Sequence, residues 1–183
     1  MNKIEPHNSW LPLEERAAKE TNPRHKKLLT EVRDHMENEI KGNLEPLMAT
    51  LTSEPIYHFW GDNPSTIEGY DAVKGFYGAM FETGGQQFEV VLDKIVVDDG
   101  AVITEGQVKN LQKGANLKAQ GITEINGETI EDDSLFVTTA QLVTVWPADQ
   151  DAKLVGEDIY FGEKSINNIE RVTKEDLPDY YVI

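Results

Sequence analysis

Cysteine is absent from the 183 residues. The chain therefore has no disulfide, no thiolate metal site and no cysteine nucleophile. Cations are scarce: 17 Lys and Arg stand against 33 Asp and Glu, a formal net charge of -16. Such a surface repels a phosphate backbone, which argues against nucleic acid as a partner, and it disfavours an anionic membrane surface for the same reason. No segment is long and apolar enough to read as a membrane span, and the opening MNKIEPHNSW has no apolar signal-peptide run, so a cytoplasmic protein is expected. Histidine occurs only at His7, His25, His35 and His58, without ligand spacing. No Gly-rich phosphate loop is present, since Gly84-Gly85 reads as a turn, and there are no internal repeats. No metal and no cofactor are expected.

What is there is enough chain for one domain with a sizeable core. The spacing of Leu28, Leu29, Val32, Met36 and Ile40 predicts a helix over Pro23–Lys41, closed by Gly42. Ahead of it, 1–22 reads as an arm with a short helical pattern, Leu13 to Glu20, pinned by Trp10 and Leu11. LEPLMATL reads as a short helix, PIYHFW as a strand, GDNPSTIEG as a loop and YDAVKGFYGAMFE as a helix with Val73, Phe76, Tyr77, Met80 and Phe81 on one side. Four long strands follow: QFEVVLDKIVVDD, AVITEGQVKN, LFVTTAQLVTVW and AKLVGEDIYFG. A polar insertion, 111–134, separates the second from the third; it is expected as a mobile flap or dimer arm, with a small hairpin turning at Asn126-Gly127. The tail, 169–183, is polar until its aromatic end. Helices followed by one long sheet imply an α+β fold: a cone-shaped, curved antiparallel sheet wrapped around N-terminal helices. LFVTTAQLVTVW is apolar on both faces, and only one can line the cone, so a homodimer through the sheet is expected.

Three stretches in this order, GNLEPLMATLTSEPIYHFWG, EGYDAVKGFYGAMF and GEDIYFGEKS, resemble the nuclear transport factor 2-like (cystatin-like α+β) superfamily, and within it the SnoaL-like and ketosteroid-isomerase-like group. The resemblance covers the domain 23–168. It implies a cone pocket for a small, mostly apolar oxygenated molecule (polyketide, terpenoid, steroid or aromatic). It also implies acid-base isomerisation, dehydration, cyclisation or hydrolysis. The superfamily includes plain binding proteins too, so a non-catalytic small-molecule- or protein-binding module is the second function class.

The stretch GEDIYFGEKS sets two carboxylates side by side in a strand. Alternation puts Lys153, Val155, Glu157, Ile159 and Phe161 on the more apolar face, and Leu154, Gly156, Asp158 and Tyr160 on the other. The resemblance agrees: Phe161 matches the pocket phenylalanine of the isomerase L-F-G-E-K run, and Glu157 lies four residues earlier on the same face. Glu157 is expected in the pocket, where desolvation raises a carboxyl pKa unless a partner compensates, as a general acid-base group near neutral pH requires. His35 shares a helix stripe with Leu28, Val32 and Glu39 and is the expected partner. Aligned on Gly42, it falls where ketosteroid isomerase has its oxyanion-binding tyrosine. Glu39, one turn on, orients His35 or is solvated.

PIYHFW is apolar on both faces, so alternation does not choose between them. The resemblance favours Tyr57 and Phe59 inward and His58 outward, with Tyr57 at the position of a water-holding tyrosine of limonene epoxide hydrolase; a one-residue slip would bring His58 in instead. The expected catalytic set is therefore Glu157, His35 and Tyr57. The expected ligand contacts are Phe59, His58, Trp60, Tyr77, Phe81, Ile159, Phe161 and Glu39, with Tyr77, Trp60, Phe81 and Trp146 read as walls or core. The known mechanisms do not transfer. Phe59 stands where the steroid isomerase base would be and Leu142 near its second acid; AVITEGQVKN lacks the epoxide hydrolase Arg-x-Asp, and Ile159 replaces that enzyme's last-strand Asp. Glu105 alternates away from Val102, Thr104 and Val108.

Overall fold

Asn22 begins the longest helix. In the computed structural model its side chain accepts from the backbone N–H groups of Arg24 and His25, Pro23 takes the first helical position, and Gly42 ends the helix at φ 72°. The structure describes residues 2–61, 63–162 and 168–183. Glu163, Lys164 and Ser165 of the GEDIYFGEKS motif lie outside them. The helices are α1 (Leu11–Lys19), α2 (Pro23–Lys41), α3 (Leu44–Met48), α4 (Tyr70–Glu82) and α5 (Gly114–Ala119). The strands are β1 (Leu51–Trp60), β2 (Ser65–Glu68), β3 (Glu89–Val97), β4 (Ala101–Lys113), β5 (Glu124–Ile125), β6 (Glu128–Thr129), β7 (Leu135–Pro147), β8 (Leu154–Phe161) and β9 (Ile169–Val172).

The main sheet runs β2-β1-β8-β7-β4-β3, with β9 beside the start of β7. It is curved, unclosed and antiparallel except where β1 and β8 pair in parallel. Leu28, Leu29, Val32, Met36 and Ile40 of α2 pack with Leu13 of α1, Tyr77 of α4 and Trp146 of β7 in one core on the concave side. This is the α+β cone expected from the pattern. Arg24 ties the start of α2 to the sheet's far turns by donating to the carbonyls of Asp99 and Gln150.

Several local expectations are corrected. GDNPSTIEG is not all loop, because β2 pairs with β1 from Ile56↔Glu68 to Phe59↔Ser65. The tail holds β9, and Ile4 from the arm packs with Leu135, Val137, Val172 and Leu177 to cover the outer side of β7 there. Leu11 faces solvent, while Trp10 is buried beneath the Lys41 ammonium. The insertion builds a small core in place of a bare flap: Leu117, Ile130 and Phe136 pack together, with Arg171 over the Phe136 ring. Its hairpin turns at Asn126 (φ 53°) and Gly127 (φ 82°), the left-handed pair that a two-residue turn needs.

Alternation also fails at one end of β8. Leu154 and Glu157 both face the interior, three residues apart, while Lys153 reaches out to the Glu31 carboxylate and the Ala49 carbonyl. Gly156 breaks the phase: its φ is 149°, and a Cβ there would stand 1.6 Å from the Ile56 carbonyl oxygen. Only glycine lets β1 approach this closely. Gly156→Ala is expected to destabilise by about 3 kcal/mol or more. Gly75→Ala, in α4 with nothing within 4 Å, is expected to stabilise by about 0.5–1 kcal/mol. Urea unfolding of the two variants checks both; equal midpoints would show that the close approach at Gly156 carries no constraint.

Candidate active site

The parallel register of β1 and β8 sets Tyr57 beside Glu157 and His58 beside Asp158. Because side chains alternate, one pair faces the core and the other faces out. Tyr57 and Glu157 are buried, at 1% and 6% exposure. His58 and Asp158 form an ion pair on the outer face, Nδ1 to Oδ1 2.6 Å. The question posed by two adjacent carboxylates is thus resolved by register: Glu157 points in.

A buried carboxylate needs partners. The Glu157 Oε1 accepts from the Tyr77 hydroxyl at 3.1 Å and lies 3.2 Å from His35 Nε2. The Tyr57 hydroxyl lies 3.1 Å from that of Tyr77 and 3.3 Å from His35 Nε2. One further contact fixes the protons. Thr50 Oγ1 donates to the Leu47 carbonyl at 2.6 Å, so it can only accept from His35 Nδ1, also at 2.6 Å. His35 therefore carries a proton on Nδ1 and turns Nε2 toward Glu157 and the two phenols. Neutral, its Nε2 accepts from Tyr57; protonated, it donates to Glu157. Burial, reinforced by the charge of Glu157, pushes the Tyr57 and Tyr77 hydroxyls well above the usual tyrosine range, so both remain donors.

A cavity of about 240 Å³ opens beside this cluster. Its walls are mostly apolar, with Met36, Phe59, Phe76, Phe88, Leu142 and Ile159 among them, and Phe161 stands half-exposed beside the cavity. Two carboxylates line it, Glu157 and Glu39. Burial and the Glu157 charge push the Glu39 carboxyl well above the usual range. Among the described residues no group of three or more His, Asp or Glu is placed to hold a metal ion, and no helix is long and apolar enough to cross a membrane.

The expected site residues thus divide. Phe59, Ile159, Phe161, Glu39 and Glu157 line the cavity. His35 and Tyr57 reach Glu157 but stand behind it, in the packed core, and do not form cavity wall. Tyr77, expected as a wall, is instead a hydrogen-bond donor in this buried cluster. Glu39 does not orient His35, whose ring nitrogens are engaged by Thr50 and the Glu157 cluster. His58 faces out, as the resemblance favoured, so its place among the ligand contacts and that of Trp60 are corrected: the two stack on the outer face, 5.5 Å between ring centroids, and Trp60 continues onto Tyr160. Phe81 packs on Tyr77, away from the cavity. The roles of Tyr77 and Thr50 escaped sequence reasoning. A tyrosine within the apolar stripe of α4 was the available signal, since a buried phenol seeks a partner; Thr50 gave none.

No protein-family description matches the chain, and no curated protein matches it in sequence. Solved structures do match in fold. One is a proposed SnoaL-like polyketide cyclase from Shewanella denitrificans, at TM-score 0.58 and 9% identity over 76% of this chain and 93% of its own. Another is an NTF2-like protein from Anabaena variabilis, at 0.54 and 13% over 80% and 96%. A third is SalBIII, an epoxide hydrolase/cyclase-like enzyme of pyran ring formation in the polyether salinomycin, at 0.54 and 10% over 80% and 97%. The cone of α2, α4 and the curved sheet, with its pocket at the concave face, is the nuclear transport factor 2-like fold, shared with SnoaL-like proteins.

Proposed function

We propose that the cavity is the active site of a cofactor-free acid-base enzyme acting on a small, mostly apolar, oxygenated molecule. The observation that carries this reading is Glu157: a carboxylate on an apolar cavity wall, backed by a buried imidazole and two phenols. Apolar walls desolvate the ligand and strengthen a carboxylate's pull on a proton. Glu157 takes a proton from the substrate, from carbon or from a bound water, and returns it at another position or to a leaving oxygen. His35 is a positioning residue: its Nε2 face can hold Glu157 in place or relieve it of a proton. Isomerisation, dehydration, cyclisation and epoxide opening all need this group, and SalBIII shows an epoxide hydrolase/cyclase-like enzyme on the same fold. At about 240 Å³ the cavity is a little smaller than usual ligand pockets, ~300–1,000 Å³, so one- or two-ring molecules suit it better than a four-ring steroid. Mere ligand binding is the second reading, favoured by the distance of the His35 cluster from the cavity wall.

The polar partner of this reading is quaternary. Exposed Trp60 and Tyr160 on β1 and β8, with Ile103 and Val96 on β4 and β3 beyond β7, give the outer face apolar side chains. We propose that two copies pair through it, which offsets the repulsion of two chains at -16 each. Light scattering is expected to give a dimer mass at micromolar concentration for the parent chain and a monomer for Ile103→Glu; a monomeric parent chain refutes the pairing.

For the chemistry, a screen of neutral one- and two-ring ketones, epoxides and alcohols is expected to yield a turnover. In that assay Glu157→Gln lowers kcat by roughly 10²–10⁴-fold with little change in ligand affinity. Asp158→Asn, one residue away and facing out, leaves it nearly unchanged. His35→Gln moves the acid limb of the pH–rate profile while the fold persists by circular dichroism. A crippling Asp158→Asn beside a harmless Glu157→Gln overturns the assignment, and tight binding with no conversion favours the binding-module reading.

A further inference from the structure

Glu39 is left without a task by the cluster around Glu157. It sits on α2 one turn beyond His35, and its carboxyl opens onto the same cavity as Glu157. Among the described residues its carboxyl makes no hydrogen bond to a protein group, whereas Glu157 accepts from Tyr77 and faces His35. Among the described residues no lysine or arginine lines the cavity to balance a second negative charge. Among the described residues the titratable groups its charge couples to are Glu157 from β8, which shares its cavity, Tyr57 from β1 and Tyr77 from α4. His35, one turn back on the same helix, can become positive, and it faces Glu157. Two carboxylates in one apolar cavity, one with donors and one without, do not both ionise: the proton stays on the unsupported one.

Resting on the acid-base reading of the cavity, we propose that Glu39 is its neutral acid: a protonated carboxyl that donates a hydrogen bond to a ligand oxygen opposite the ionised Glu157. A protonated acid beside a carboxylate selects a particular ligand chemistry. A neutral ketone or ether oxygen accepts from Glu39. A ligand carboxylate meets Glu157 and finds no cation among the described wall residues, so the cavity disfavours it. The substrate class narrows accordingly to neutral, carbonyl- or ether-bearing molecules of one or two rings, with the oxygen directed to α2 and the reacting proton directed to β8.

The test uses the full chain with 1-tetralone as a neutral probe and tetralin-1-carboxylate as its charged counterpart. Glutamate carboxyl groups are followed by carbon NMR across pH, and the Glu39 signal is assigned by its loss in Glu39→Gln. That signal is expected to titrate well above the ordinary glutamate range, as burial and the Glu157 charge require, and to move to lower pH in Glu157→Gln, where the neighbouring charge is gone. Calorimetry is expected to show tetralone affinity falling about tenfold per pH unit above the Glu39 titration, and no such fall in Glu39→Gln, whose amide still donates. The carboxylate probe is expected to bind at least about tenfold more weakly at pH 7. A Glu39 signal titrating in the ordinary range near 4.3, or tetralone binding that ignores pH in the parent chain, overturns the assignment of Glu39 alone. Failure of tetralone and every other neutral probe to bind, with Glu39 still protonated, overturns the ligand-cavity reading beneath it.

Discussion

The fold converges on a single requirement, the support of one carboxylate taken out of water. An ionised group in an apolar setting survives only with hydrogen-bond donors around it. Three elements meet β8 to build that support. Helix α2 brings His35, β1 brings Tyr57, α4 brings Tyr77, and β8 carries Glu157 itself. The chain at Thr50 does the remaining work: by giving its own proton to the Leu47 carbonyl, Thr50 leaves His35 no choice of tautomer. A short turn after α3 therefore decides which ring nitrogen faces the carboxylate. Gly156 decides that the carboxylate faces in at all, since it lets β8 change phase against β1.

Much of this was legible in the sequence, and the failures have physical causes. Helices α2 and α4 were read to their ends, because a 3.6-residue stripe with Asn22-Pro23 and Gly42 at its limits leaves little freedom. The strands β2 and β9 were missed: each spans four residues and pairs only one neighbour, so no apolar alternation marks it. Glu157 was placed inward correctly by a partly wrong argument. Alternation holds from Glu157 onward but not through Lys153 and Val155, because the glycine between resets the phase. Trp60 was drawn into the pocket, and His58 kept as an alternative there, because aromatic residues on an outer sheet face look, in sequence, like those lining a core. Tyr77 was underrated for the converse reason: a periodic pattern registers a ring and is blind to its hydroxyl.

A histidine–carboxylate pair occurs twice, with opposite meanings. His35–Glu157 and His58–Asp158 lie on opposite faces of the sheet, with side-chain exposures of 0% and 7% for the first and 35% and 32% for the second. The outer pair is screened by water, and pairs of that kind contribute about 0–1 kcal/mol. Breaking the inner pair strands a buried charge, which costs about 3–5 kcal/mol in comparable cases. The short 2.6 Å contact of the outer pair is therefore no measure of its weight, and the longer 3.2 Å contact of the inner pair is the one on which the site depends.

Glu39 extends this argument to the balance between stability and chemistry. Its carboxyl holds its proton more tightly in the folded chain than in the unfolded one, because burial and the Glu157 charge both oppose ionisation. The folded state then binds more protons than the unfolded state over a range that begins near the ordinary glutamate value, ~4.3. Stability falls as pH rises through that range and levels off only above the folded value. At neutral pH the position works against folding, so an apolar residue or a glutamine would serve the cone better. A carboxyl that weakens its own fold, faces open cavity and lacks a protein partner among the described residues is placed where a ligand's oxygen would complete it, and local disagreement with the requirements of folding is characteristic of functional positions.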